Sequence, residues 1–144
     1  QAHIGMTNPT IEIYRETIND YAKAGVKVLV TEFDLSPLPE PRRMGGANLA
    51  DREAYRKEID PYTNGLPDEV MRAWNDRMMD FFHLFLENND HMLRVTMWGV
   101  SDGDSWKNNF PARGRTDYPL LFDRDHRPKE VVTRLITELL DKNH

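Results

Sequence analysis

The feature that most constrains this chain is an alternation of apolar periods in which both unusually long connections follow strands. Ile11, Tyr14, Ile18, Tyr21 and Ala22 recur at helical spacing behind Asn8-Pro9, where Asn can cap free amides and Pro is preset for a first turn; Gly25 supplies the stop. Val26–Thr31 is short and β-branched, and reads as a strand running into Glu32–Leu35 with its N-terminal half in the core. From Ser36 to Leu66 the pattern gives way to Pro37, Pro39, Pro41, Gly45, Gly46 and mixed charge, far beyond the usual connection of about two to six residues. Pro67 opens a long amphipathic helix with Val70, Met71, Trp74, Met78, Phe81, Phe82 and Phe85 on one stripe, ending near Asn88-Asn89. Arg94–Trp98 reads as a second strand and Gly99–Arg127 as a second long polar loop. Pro128–Leu140 reads as a last helix with Val131, Val132, Leu135, Ile136 and Leu139 inward.

This order predicts a parallel βα architecture, and places both long loops at the carboxyl end of the sheet, where α/β barrels build their sites. The 144 residues suit one domain. Lys and Arg number 19 against 24 Asp and Glu, a net charge of −5, and no basic run exceeds two residues, which argues against a nucleic-acid surface. Zero cysteines exclude disulfides, a thiol nucleophile and a thiolate zinc site. The most apolar stretches, Val26–Val30 and Phe81–Leu86, fall well short of the roughly 18 residues of a membrane span. The chain begins Gln1-Ala2-His3 without an initiator Met or an apolar leader, so any targeting segment is expected outside it.

By strand alternation, Val26, Val28, Val30, Glu32 and Asp34 share one face, which puts two carboxylates at the strand exit with about 7 Å between their Cα atoms. Such a pair serves either a ligand or plain solvation. Trp98 ends the second strand and Trp106 follows in its loop. Their indoles suit the C–H faces of a sugar, whose hydroxyls Asp102, Asn108, Asn109 and Arg113 can bond; the alternative is core filling or a loop anchor. Trp74, inside the helical stripe, reads as core. His3 is placed to bond a carboxylate near a strand end, and His83 reads as a helix-face residue. His3, His83, His91, His126 and His144 show no metal-binding spacing. Asp102-x-Asp104 fails as a calcium loop because Lys107 replaces the turn glycine and Arg113 the closing Glu. Asn8-Pro9-Thr10 fails as a glycosylation site, and Gly45-Gly46 lacks a phosphate-binding pattern.

Three separated segments, Gln1-Ala2-His3, Val28-Leu29-Val30-Thr31-Glu32-Phe33-Asp34, and Val95 to Trp106 with the trailing Pro119-Leu120-Leu121-Phe122-Asp123, together resemble glycoside hydrolase family 10. These are endo-1,4-β-xylanases built on an eight-fold βα (TIM) barrel. The resemblance implies an α/β fold, with residues 1–144 as the C-terminal segment of a single catalytic domain, from about strands six and seven to helix eight. It implies Glu32 as nucleophile, His3 and Asp34 as its supporting partners, and Gln1, Trp98 and Trp106 as substrate-binding residues, with no cofactor and no metal. Phe33 stands where the family usually has Leu, and Ile4 where it often has Trp, which bears on subsite preference. The mechanism implied is retaining hydrolysis through a covalent glycosyl-enzyme, with a second carboxyl roughly 5 Å away as acid/base. The family carries that Glu on the fourth strand, outside these residues. The implied partners are xylan or xylo-oligosaccharide and an N-terminal half-barrel from the same or another chain. The implied location is secreted, periplasmic or cell-surface. The alternative is a xylan-binding or structural fragment, inactive without the other half-barrel.

Overall fold

The computed structural model describes residues 1–40 and 49–141, with the side chains of 49–52 left aside. Pro41, Gly45, Gly46 and His144 lie outside the described residues. The elements are β1 (His3–Gly5), α1 (Ile11–Lys23), β2 (Val28–Ser36), α2 (Leu49–Ile59), α3 (Asp68–Glu87), β3 (Met92–Met97) and α4 (Glu130–Asp141). The three strands form one parallel sheet in the order β1-β2-β3. His3 pairs with Asp34, and Phe33 with Met97. The expected parallel α/β arrangement is therefore present.

One side of the sheet carries the core. Ala2 just before β1, Ile4 of β1, Val30, Phe33 and Leu35 of β2, Ile18 of α1 and Val131 of α4 pack with Trp74, Met78, Phe81, Leu84 and Phe85 of α3. The α3 stripe follows from its apolar spacing of three and four residues. Burying each such side chain contributes about 1.5–3 kcal/mol. Trp74 is core, as its place in the stripe indicates, and its indole N–H donates to the Leu35 carbonyl at 2.7 Å. Phe33 sits among Phe81, Phe82 and Phe85, with ring centroids 5.8, 6.3 and 5.4 Å away. The departure from Leu is thus absorbed by an aromatic cluster on the helical side.

Several local expectations are corrected. Thr10, not Asn8, caps α1, its hydroxyl accepting from the Ile13 amide at 3.2 Å. Within the Ser36–Leu66 connection lies the helix α2, whose polar sequence carries little apolar periodicity. The second strand begins two residues earlier than expected, at Met92, and the loop after it holds two short 3-10 turns, Asp102–Asp104 and Trp106–Asn108. Val26 and Tyr21 are exposed rather than inward, as are Ile136 and Leu139 on α4. His83 reaches across to α4, with Nε2 2.6 Å from Glu138 Oε2.

The shared face expected for Val26 through Asp34 is also corrected. Val28 and Val30 join the helical core, but so do Phe33 and Leu35, and Glu32 and Asp34 point the other way. The parity changes because β2 is irregular against β3 between Val30 and Phe33. There Glu32 has φ +55°, inside the left-handed region that L side chains rarely adopt. An irregularity of this kind moves every later side chain to the opposite face.

Candidate active site

The left-handed conformation of Glu32 costs on the order of 1–3 kcal/mol and persists only where its surroundings over-determine it. They do so from both flanking strands. The Ala2 amide donates to Thr31 O (2.9 Å), Asp34 N to Ala2 O (3.1 Å), and Trp98 N to Phe33 O (2.9 Å). The Glu32 side chain is thereby turned out of the sheet beside the side chains of β1.

Gln1 Nε2 donates to Glu32 Oε1 at 2.8 Å, and His3 Nε2 lies 3.3 Å from Glu32 Oε2. The other imidazole nitrogen, Nδ1, is 3.0 Å from Asp34 Oδ2, and the Trp106 indole N–H donates to that same oxygen at 2.8 Å. A carboxylate only accepts, so at each of these contacts it is the imidazole N–H that donates, and the ring stands between buried Asp34 on its Nδ1 side and Glu32 on its Nε2 side. Asp34 is fully buried and its Oδ1 has no hydrogen-bond partner among the described residues, whereas the Glu32 side chain keeps 21% exposure. One carboxylate is enclosed and holds its neighbours; the other is gripped at both oxygens yet open. A carboxylate oriented in this way is equipped to attack an electrophilic carbon.

Five of the six candidate residues, Gln1, His3, Glu32, Asp34 and Trp106, therefore meet in one hydrogen-bonded group. Trp98 is joined to it through its backbone bond to Phe33, with its side chain half exposed (46%). The Trp106 ring lies 4.8 Å from the His3 ring and stacks on Phe110 at 5.1 Å and 20°. Of the residues considered as hydroxyl partners, Asn109 and Arg113 are exposed, but Asp102 and Asn108 are not available. Asp102 is buried against Lys129 Nζ at 2.9 Å and accepts from the Leu120 amide at 2.9 Å. The Asn108 amide donates to Asp102 O, while its oxygen accepts from Asp117 N and Arg124 Nη2.

Residues passed over by the sequence reading hold the two long loops together. Ser36 Oγ, two positions beyond Asp34, donates to Asp117 at 2.7 and 2.9 Å. Arg115 donates to the Ile59 and Pro39 carbonyls, Thr116 N to Asp60, and Tyr118 Oη to Tyr62 O. Burial pushes the Asp117 carboxyl above its ordinary range, against the hydrogen bonds from Ser36 and the Tyr118 amide. Burial likewise raises Asp102 to about 6 despite Lys129, and lowers Lys129 despite Asp102. No local motif links these partners, which is why spacing did not reveal them.

The family model described as Glycosyl hydrolase family 10 matches residues 1–138. The chain belongs to glycosyl hydrolase family 10. Within the family it is 41% identical over 136 residues to endo-1,4-beta-xylanase A of Xylanibacter ruminicola, covering 94% of this chain and 37% of that protein. Its identity to the endo-1,4-beta-xylanase of Geobacillus stearothermophilus is 33% over 136 residues, covering 94% and 36%. A family 10 endoxylanase from a sugarcane soil metagenome superposes with a TM-score of 0.82 at 36% identity, over 95% of this chain and 37% of that one. The chain thus spans a little over a third of the length of the curated relatives it matches.

Proposed function

We propose that this chain is the C-terminal part, from the sixth strand through the final helix, of a barrel-shaped catalytic domain that cleaves β-1,4-xylosidic bonds within xylan. The observation that carries this reading is the Glu32 carboxylate, held midway along β2 by Gln1 and His3, with His3 braced in turn by Asp34 and Trp106. In this account Glu32 attacks the anomeric carbon through an oxocarbenium-like transition state, and water later releases the sugar with retained configuration. Asp34 positions His3 and does not replace the acid/base group. That group, a glutamate elsewhere in the barrel, protonates the leaving oxygen and then activates water. Trp98 and Trp106 flank the bound sugar. A substrate of this kind is an extracellular polymer, which fits a secreted, periplasmic or cell-surface protein; among the described residues no helix is long and apolar enough to cross a membrane.

A second reading, that these residues bind or brace without hydrolysing unless the remaining strands are supplied, draws on the open side of the sheet. Leu29 and Leu93 are exposed there at 45% and 63%, in a region where a barrel packs its interior. Mixing this segment with the complementary half-barrel and assaying xylan hydrolysis separates the readings. The proposal expects activity in the mixture and at least a thousandfold loss, to order of magnitude, with Glu32→Gln. Activity indifferent to that substitution contradicts it.

A further inference from the structure

Phe110 is an exposed aromatic (57%) that the roles above leave unused. Its ring lies nearly parallel to the Trp106 indole at 5.1 Å, so one face is taken and the other is open. This placement is built in by the backbone. Both Asn109 N and Phe110 N donate to the Trp106 carbonyl at 2.9 and 3.1 Å, and Arg115 N closes the turn onto Asn108 O at 2.8 Å. Asn108 is itself anchored from below by Asp117 and Arg124. An unbroken ring sequence therefore runs from His3, beside Glu32, through Trp106 to Phe110. A preorganised apolar plane at the outward end of such a row binds without first ordering itself, and exposed Asn109 and Arg113 in the same loop supply hydrogen-bond donors.

We propose that Phe110 is a saccharide-stacking residue that ends the His3–Trp106–Phe110 row and binds, on its open face, a sugar unit of the chain beyond those at Glu32. This rests on reading the Glu32 group as a xylan-cleaving centre. The open face of Phe110 packs on the C–H face of a pyranose ring, while Asn109 and Arg113 face its hydroxyls. Its contribution grows only when the substrate is long enough to reach it.

The test compares kcat/KM for linear xylohexaose with kcat/KM for an aryl β-xylobioside in the complete catalytic domain. Phe110→Ala is expected to lower the ratio of the two values by roughly three- to tenfold through KM, as expected for losing one aromatic contact. Phe110→Tyr, which keeps the plane, is expected to restore it. A ratio unmoved in Phe110→Ala overturns the inference. So does an equal loss on both substrates accompanied by a lower Tm, since Phe110 then packs against another part of the domain. A wild-type domain that cleaves neither substrate overturns the functional reading itself; one that cleaves both with an unmoved ratio overturns only the role of Phe110.

Discussion

The indole N–H of Trp106 donates to the buried carboxylate of Asp34 at 2.8 Å, across 72 positions of sequence. The oxygen that accepts it also holds His3, so the loop after β3 is coupled to the imidazole that faces Glu32. Trp106→Phe keeps the ring but removes one of the two donors to an oxygen that has no access to water. The expected cost is about 1–3 kcal/mol of stability in urea denaturation of the complete domain, together with a lower kcat. An unchanged midpoint and unchanged kcat would show that the bond does not brace the site.

Gly99 follows Trp98 with φ +135°, and a Cβ placed there would stand 2.8 Å from Leu120 Cδ1. Leu120 is fully buried and has little room to retreat. Gly99→Ala therefore combines backbone strain with a core clash and is expected to destabilise the domain by roughly 1–3 kcal/mol. Tryptophan fluorescence should report a displaced Trp98. Retention of both wild-type stability and wild-type fluorescence would contradict this.

The raised pKa of Asp102 has a definite sign. Its folded value of about 6 lies above the ordinary 3.8, so the native state holds that proton more tightly than the unfolded chain. The associated stabilisation is fully present below the ordinary value and is lost as pH rises through about 6. The groups around the pair are Lys129, which contacts Asp102 directly, Arg124, Asp117 and Asp123. Measured against Asp102→Asn, which lacks this titration, wild-type stability is expected to decline from pH 4 to 6 and then level off. Parallel curves for the two proteins would contradict the assignment.

Much of the architecture is legible in the sequence because it rests on periodicity. The stripe from Trp74 to Phe85 states its burial directly; of the apolar run entering β2, Val30 is buried and Val28 partly so, while Val26 and Leu29 are exposed. The face carrying Glu32 was not legible in this way. The switch between Val30 and Phe33 comes from a positive φ at a glutamate, which no side-chain pattern announces. α2 carries no legible period because its residues are mostly polar and sit between Pro- and Gly-rich stretches. In sequence Asp102 reads as a partner for sugar hydroxyls because Lys129, which it contacts, lies 27 positions away and is brought near only by folding. The family resemblance named the residues around Glu32, and the structure adds how they touch: Gln1 and His3 on separate oxygens, and Asp34 behind His3.

Glu32 as the nucleophile is tested most directly by covalent trapping. The complete domain is incubated with an activated 2-deoxy-2-fluoro-xylobioside, digested, and its peptides read by mass spectrometry. The added sugar mass is expected on the carboxylate of Glu32, with activity lost in step with labelling. Inactivation accompanied by the label on any other residue would contradict the account.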